Sequence, residues 1–156
     1  MSLTHIDEKG NAKMVDVSEK QMTKREAIAV GKISMKLETL DMIIEGNTPK
    51  GDVLATARIA GIMGAKKTYE LIPMCHNIPI DSVKVELKPD REESVVEITA
   101  IAKCTYKTGI EVEALTAVSI AALTIYDMCK AVDRGMVIGD ITLVKKTGGK
   151  SGTFEK

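Results

Sequence analysis

Aromatic side chains are scarce in this sequence: tryptophan is absent, and phenylalanine and tyrosine together make up 3% of its 156 residues. Proteins that bind single strands of nucleic acid stack bases on aromatic rings, so this composition argues against that class. Net charge is scarce too, because lysine plus arginine and aspartate plus glutamate are equal at 22 each. With no overall charge to attract nucleic acid or a membrane, phosphate recognition would have to come from a local basic cluster.

The chain also lacks the sequence features of a secreted or membrane protein. Its three cysteines, Cys75, Cys104 and Cys129, are widely spaced and include no Cys-x-x-Cys pair, which favours reduced thiols over disulfides or a zinc site. No apolar run approaches the roughly 18 residues that cross a bilayer, and the N-terminus lacks the pattern of a signal peptide. These observations predict a cytoplasmic protein, and the length predicts one domain over residues 1–156.

Apolar periodicity in the sequence predicts the regular elements of this domain. Helices are indicated by apolar residues that recur every three or four positions, and strands by alternation of apolar and polar residues. Small residues along one stripe of the second helix, among them Gly61 and Gly64, predict close packing against a neighbour. The predicted elements are a strand over residues 26–33, a helix capped by Ser34 and ended by Gly46, a helix capped by Thr48 and ended before Pro73, strands around residues 83–87 and 96–102, a helix from Glu111 to about Ala131, and a strand from Met136 to about Val144.

The order of these elements predicts an α+β fold. Strand, helix, helix, strand, strand, helix, strand is typical of an antiparallel sheet with helices packed on one face, close to the ferredoxin-like arrangement. About residues 1–23 are predicted to be loosely ordered, and about residues 145–156 to form a flexible tail rich in lysine and glycine. Because a fold alone does not name a function, function has to be argued from individual side chains.

Several titratable residues are candidates for a site, and each has an ordinary explanation beside the functional one. His76, next to Cys75, could move protons or bind phosphate, or it could be a loop histidine with a satisfied hydrogen bond. Asp127 and Lys130 lie three apart on one predicted helix face. In solvent they would be a weak ion pair, whereas in a cleft they would form an acid/base couple.

Two further patterns suggest ligand contacts. Glu111 and Glu113 begin the last predicted helix, where either could stabilise the positive helix end or accept hydrogen bonds from a guanine-like edge. Residues 149–151 resemble the end of a phosphate loop, but Val144 stands where that motif needs glycine, so the chain has no Walker motif. The lysine and glycine tail could still fold over an anion, and its alternative is simple disorder.

Blocks spread over nearly the whole chain carry a stronger signal than any single residue. The blocks are HI at residues 5–6, MVDVS at 14–18, KGDV at 50–53, ATARIAG at 55–61, LIPMCH at 71–76, TGIEVEALTA at 108–117, AALTIYDMCKA at 121–131 and GGKSG at 148–152. In this order they resemble the molybdenum cofactor biosynthesis protein C family, the cyclic pyranopterin monophosphate synthases. The sequence departs from the family where Met74 replaces a common leucine and Asn77 a common proline.

The resemblance implies an enzyme that converts a cyclised dihydro derivative of guanosine triphosphate to cyclic pyranopterin monophosphate with release of pyrophosphate. It implies that Asp127 and Lys130 are the acid/base pair. It also implies a homohexamer, a trimer of dimers, with sites at subunit interfaces. No metal-ligand spacing appears in the sequence and no cofactor is required, although Mg²⁺ could assist at the phosphates. By the same resemblance, the anion-binding residues are Arg25, Lys50, Lys66, His76, Lys146 and Lys150, and further substrate contacts are Met74, Cys75, Val112 and Glu113, with Glu111 beside them.

The main alternative comes from another class of protein. A ferredoxin-like nucleotide-sensing or assembly module without catalysis could use the same lysines only to hold a ligand. The importance of Asp127 and Lys130 for turnover separates the two hypotheses. A nucleic-acid binder is a weaker third hypothesis, because the net charge is zero and stacking residues are few.

Overall fold

The structure is a computed structural model that describes residues 4–156. The strands are β1 (Thr23–Ser34), β2 (Ile80–Asp90), β3 (Val95–Tyr106), β4 (Val137–Thr147) and β5 (Phe154–Glu155), and the helices are α1 (Leu37–Glu45), α2 (Val53–Lys66), α3 (Thr68–Leu71) and α4 (Glu111–Cys129).

An antiparallel sheet forms one layer of the fold, and helices pack on it. The strand order is β2-β3-β1-β4-β5, and all neighbouring strands are antiparallel. The first four strands have the ferredoxin-like order, and β5 adds a short edge. The α+β class predicted from the sequence is confirmed.

Small side chains line the helix-facing side of the two central strands. Ala27 and Ala29 of β1 lie opposite Ala102 and Ala100 of β3, and all four are fully buried. On β1, a Cβ at Gly31 would meet the side chain of Val118 in α4 at 2.7 Å. The small residues therefore allow α4 to lie close to the sheet.

Helix α4 is the core helix of the domain. One side packs on β1, β3 and β4 and another on α2, so alanines from Ala114 to Ala122 are buried between the two layers. Its length and apolar composition would also suit a membrane-crossing helix, but half of its most apolar stretch is buried inside the domain. Core packing accounts for the hydropathy of this helix.

The start of α1 differs from the prediction. Ser34 does not cap the helix: it is the last residue of β1, and the N-cap position belongs to Lys36. The carboxylate of Asp133 accepts hydrogen bonds from the Lys36 N–H and the Thr39 hydroxyl, both at 3.0 Å. A carboxylate that is distant in sequence thus replaces a local cap at the start of α1. At its other end, Gly46 ends the helix in the left-handed conformation, as predicted.

The start of α2 also lies later than predicted. Thr48 is not the N-cap, because the chain first turns through Gly51, whose φ of 97° is incompatible with a helix. Asp52 caps the helix instead, and its carboxylate accepts a hydrogen bond from the Ala55 N–H at 3.1 Å. The helix ends at Lys66, and the short α3 fills the distance to Pro73.

Both terminal regions make defined contacts with the domain. Residues 4–22 contain an isolated bridge between Ile6 and Ala12 and bury Val17. The chain after residue 145, predicted as a flexible tail, continues β4 to Thr147, because β4 pairs with β1 as far as Glu26. The tail then turns back, and β5 pairs with β4.

Replacing Gly61 by valine should lower the free energy of unfolding by about 2–3 kcal/mol, because adding side-chain volume forces packed groups apart. A Cβ at this position would lie 2.9 Å from the carbonyl oxygen of Ala117 and 3.3 Å from Val85. Urea unfolding measures the change. Met63→Val, at an exposed position of the same helix, controls for the helix propensity of valine and should cost less than about 0.5 kcal/mol. Equal stabilities would contradict close packing of α2 on α4.

Candidate active site

Two adjoining cavities lie at the N-terminal end of α4. The larger has a volume of about 920 Å³ and lies between the N-terminal segment, β1 and the turn after β4. The smaller has a volume of about 390 Å³ and lies beside the loop that follows α3. They share Lys20, Thr108, Gly109 and Glu111, so we describe them together as the cleft.

The cleft collects most of the residues predicted to bind substrate. Those lining the larger cavity are Arg25, Glu111, Lys146 and Lys150. Those lining the smaller cavity are Met74, Cys75, His76, Glu111, Val112 and Glu113. Lys50 and Lys66 line neither, and Lys66 is exposed at the end of α2.

A glycine turn after β4 positions the cations of the larger cavity. Gly148 and Gly149 have φ values of 93° and 83°, and a side chain at Gly149 would collide with the guanidinium of Arg25. Arg25 is held in place by a hydrogen bond of 3.0 Å from its Nε–H to the carbonyl oxygen of Tyr106. The turn therefore closes over Arg25 and places Lys150 at the cavity wall.

Glu111 and Lys146 form a half-buried ion pair within the cleft. Oε1 of Glu111 lies 3.3 Å from Nζ of Lys146, and the side chains are 25% and 19% exposed. The carboxylate of Glu111 lies over Gly109, and a Cβ at Gly109 would overlap that carboxylate. Lys146 also donates a hydrogen bond to the hydroxyl of Ser151, which ties the tail to the start of α4.

Glu113 is the buried acid of the cleft. Its side chain is 4% exposed, and burial, with a smaller effect from the charge of Glu111, raises its pKa from 4.5 to about 7. Burial also raises the pKa of the Cys75 thiol, to which the nearby charges of Glu113 and Glu111 add. The Cys75 thiol is therefore kept protonated, whereas Glu113 can hold or release a proton near neutral pH.

His76 joins the N-terminal segment to the cleft. Its Nε2 lies 2.6 Å from the carbonyl oxygen of Val15, and because a carbonyl only accepts, Nε2 carries the hydrogen. The other ring nitrogen, Nδ1, is left for a ligand. His76 is therefore both a structural contact and a candidate ligand contact.

The predicted acid/base pair lies away from the cleft. Oδ1 of Asp127 is 2.6 Å from Nζ of Lys130, and Oδ2 is 3.1 Å from Nζ of Lys50. All three side chains are about half exposed, and the hydrogen bonds from Lys130 and then Lys50 lower the pKa of Asp127. Since Asp127 follows Glu113 by fourteen residues on α4, the two lie about 21 Å apart along the helix axis. We call Lys50, Asp127 and Lys130 the lysine–aspartate cluster.

Several cleft residues were not identified from the sequence. They are Glu19, Lys20, Gln21, Thr23 and Thr108. The sequence indicates Lys20 only weakly, by its position just after the block at residues 14–18. Its neighbours in the cleft are distant in sequence, so spacing could not place it there. Within residues 4–156, no three histidine, cysteine, aspartate or glutamate side chains converge where they could hold one metal ion.

The protein is an α+β domain in which basic side chains surround a cleft next to a buried acid that titrates near neutrality. These features define a class of protein suited to binding and transforming a polyanion.

The sequence profile of the MoaC family matches residues 14–149. Relatives named cyclic pyranopterin monophosphate synthase include those from Clostridium acetobutylicum, 65% identical over 98% of this chain and 95% of the relative, and Thermoanaerobacter pseudethanolicus, 60% identical over 100% and 99%. The relative of that name from Magnetococcus marinus is 59% identical over 98% and 94%. The chain belongs to the MoaC family.

The raised pKa of Glu113 predicts a loss of stability with rising pH. Between pH 4.5 and about 7 the folded protein retains a proton on Glu113 that the unfolded chain has released. Ionisation of the buried group therefore opposes folding. Relative to a Glu113→Gln variant, the free energy of unfolding of the parent should fall by up to about 3 kcal/mol across this range and then level off.

Urea unfolding of both proteins at a series of pH values measures this difference. Glu38→Gln, at an exposed glutamate in the first turn of α1, is the control and should follow the parent at every pH. A constant difference between parent and Glu113→Gln would mean that Glu113 ionises normally in the fold.

Proposed function

We propose that this protein is an enzyme of molybdenum cofactor biosynthesis. It converts the cyclised dihydro derivative of guanosine triphosphate to cyclic pyranopterin monophosphate and releases pyrophosphate. The observation that carries the proposal is the cleft, where basic side chains suited to a triphosphate adjoin the buried, titratable Glu113. Membership of the MoaC family and the names of its close relatives support the same reaction.

The two cavities suit the two parts of such a substrate. Arg25, Lys146 and Lys150 surround the larger cavity and would bind the phosphates through charge-assisted hydrogen bonds. In the smaller cavity, the ionised carboxylate of Glu113 would accept hydrogen bonds from the N–H groups of the guanine-derived ring. Nδ1 of His76 faces the same ligand in this proposal.

Proton transfer is assigned to the lysine–aspartate cluster. Opening and reclosing the rings requires protons to be removed and returned, and the lowered pKa of Asp127 keeps it ionised as an acceptor. Lys130, at 2.6 Å, is placed to pass a proton to or from the same carboxylate. Lys50 holds the second oxygen and so fixes the orientation of Asp127.

The last step forms the cyclic phosphate. A sugar hydroxyl attacks the α-phosphorus, a new P–O bond forms, the bond to the β-phosphate breaks, and the hydroxyl proton passes to a base. Negative charge gathers on the departing pyrophosphate, where the cleft cations can neutralise it. A Mg²⁺ ion bound to the phosphates would neutralise further negative charge on the pyrophosphate. The proposed reaction needs no cofactor.

The separation of the cleft from the lysine–aspartate cluster supports a site shared between chains. About 21 Å along α4 is too far for one small substrate to contact both groups directly. We propose that the cleft of one subunit faces the cluster of another, in a homohexamer built as a trimer of dimers. The proposal includes a cytoplasmic location and no nucleic-acid or membrane partner.

The non-catalytic alternative has one observation in its favour. The ion pairs of Asp127 are half exposed, as in ordinary surface pairs that contribute little to stability. A nucleotide-sensing or assembly module would therefore tolerate their loss.

Asp127→Asn and Lys130→Ala should each lower turnover by at least about a hundredfold, because general acid–base groups typically contribute that much, while leaving unfolding nearly unchanged. Pyrophosphate release from the cyclised nucleotide measures turnover. Asp41 and Arg91 form another exposed ion pair, at 3.0 Å, so Asp41→Asn and Arg91→Ala are matched controls and should keep parental rates. Parental rates in the Asp127 and Lys130 variants would favour the non-catalytic module.

A site shared between chains predicts complementation between inactive variants. Asp127→Asn and Lys146→Ala are mixed in equal amounts under conditions that allow subunits to exchange. With random assembly, about a quarter of the sites combine an intact cleft with an intact lysine–aspartate cluster, so about a quarter of the parental activity should return. The control mixes Asp127→Asn with Lys130→Ala, which lie in the same cluster and should not complement. Sedimentation of a fully active monomer would rule out the shared site.

A further inference from the structure

We propose that Asp133 is a positioning residue for the lysine–aspartate cluster. Its carboxylate joins the turn after α4, which begins at Lys130, to the start of α1, from whose other end the chain continues to Lys50. This inference rests on the proposed function, because it concerns the residues assigned to proton transfer. Asp133 contacts no substrate in this assignment and acts by holding the backbone that carries the two lysines.

The carboxylate of Asp133 is a buried connection between two segments. Asp133 is 3% exposed, and its Oδ1 accepts a hydrogen bond of 3.2 Å from the Gly135 N–H within its own turn. Its Oδ2 accepts the hydrogen bonds from Lys36 and from Thr39, a residue that is 1% exposed. Hydrogen bonds to an ionised acceptor are the strong ones, and burial protects them from competition by water. The start of α1 is therefore fixed to the turn after α4.

The turn after α4 places Lys130 directly beside this connection. The N–H groups of Val132 and Asp133 both donate to the carbonyl oxygen of Cys129, at 3.0 and 3.1 Å. Lys130 lies inside this tightly wound stretch, three residues before the buried carboxylate. A movement of Asp133 away from α1 would therefore displace Lys130 as well.

Lys50 depends on the same connection through α1. It lies between α1 and α2, in a stretch without helix or strand. Two side-chain contacts tie α1 to distant parts of the described chain, the buried one to Asp133 and an exposed ion pair of Asp41. Leu40 and Ile43 of α1 are buried too, but apolar contacts are not directional. The buried hydrogen bonds therefore define how α1 is oriented.

The lysine–aspartate cluster needs such support, because its own contacts are weak. The ion pairs of Asp127 with Lys50 and Lys130 are about half exposed, and exposed pairs fix a geometry poorly. Proton transfer depends on that geometry, since a displacement of about 1 Å can lower a rate by about a hundredfold. Asp133 supplies the buried polar contact beneath both lysine-bearing segments.

Chemical labelling of lysines tests the placement without reference to activity. A brief pulse of acetic anhydride, followed by mass spectrometry of peptides, gives the reactivity of Lys50 and Lys130 relative to Lys13, an exposed lysine of the N-terminal segment. Asp133→Asn keeps the size of the side chain and replaces one acceptor oxygen by a donor. Acetylation of Lys50 and Lys130 should rise by about two- to fivefold, the factor that an exposed ion pair contributes.

Thr39→Val is a milder variant that keeps the volume of the side chain. It removes one of the three hydrogen bonds of Asp133 and should raise the acetylation of Lys50 and Lys130 by about twofold, since the other two remain. Urea unfolding checks that each variant is folded. If Asp133→Asn does not fold, the result with Thr39→Val decides the question.

Two matched controls separate placement from a general loosening of the fold. Asp41→Asn cuts the exposed contact of the same helix, and Thr68→Val removes the hydroxyl of another threonine that is 1% exposed. Both controls should be acetylated like the parent. Parental acetylation of Lys50 and Lys130 in folded Asp133→Asn would overturn the proposal, and so would an equal rise in Asp41→Asn.

A double-mutant cycle measures the consequence for the reaction. Asp133→Asn should lower kcat by about tenfold with little change in KM, because displaced groups still allow binding but transfer protons poorly. In an Asp127→Asn background the same substitution should lower kcat by less than about twofold, since the cluster is already inactive. Equal factors in both backgrounds would mean that Asp133 acts independently of the cluster, and the proposal would be wrong.

Labelling and turnover together separate this inference from the proposed function. Parental turnover of Asp127→Asn with raised acetylation in Asp133→Asn would refute proton transfer by the cluster and leave the placement by Asp133 intact. Lost turnover of Asp127→Asn with parental acetylation in Asp133→Asn would refute the placement alone.

Discussion

Close packing of α2 against α4 is the constraint on which the rest of the structure depends. A Cβ at Gly61 would press on the backbone of Ala117, and one at Gly64 on the side chain of Ile120, so the helices approach where side chains are missing. Helix α4 is thereby held between α2 and the small residues of β1 and β3. The sides of its middle that face α2 and the sheet are buried, and its charged side chains, Glu111, Glu113 and Asp127, lie toward its two ends.

The two ends of α4 give similar carboxyl groups opposite properties. Glu113 is enclosed at the first end, and burial raises its pKa to about 7. Asp127 is exposed at the other end between Lys50 and Lys130, and their hydrogen bonds lower its pKa. Near neutral pH one carboxyl group therefore exchanges its proton while the other stays ionised, so that one helix can offer two different acid/base functions.

The cleft is built from the two ends of the chain as well as from the core helix. The segment before β1 is attached through His76 and Val17, and the segment after β4 through Gly149 and Lys146. Neither segment has much regular structure, yet each contributes one lysine to the same cavity, Lys20 from the first and Lys150 from the second. Phosphate binding would therefore hold both segments against the domain, which links ligand occupancy to the order of the chain ends.

The sequence by itself determined the longer elements, β1 to β4 with α1, α2 and α4, and their order, but not the short α3 and β5. Apolar periodicity is local, so the helix at Glu111 and the strand pair before it were readable from spacing alone. The caps Ser34 and Thr48 were predicted wrongly, since Asp133 caps α1 from a distant loop and the turn at Gly51 delays α2. The resemblance to a family indicated the site residues. Their spacing in the sequence did not show that they form two separate groups, at opposite ends of α4. Only the tertiary structure decided that Glu113 is buried, that Lys50 pairs with Asp127, and that Lys20 reaches the cleft, because burial and long-range contacts arise when distant segments pack together.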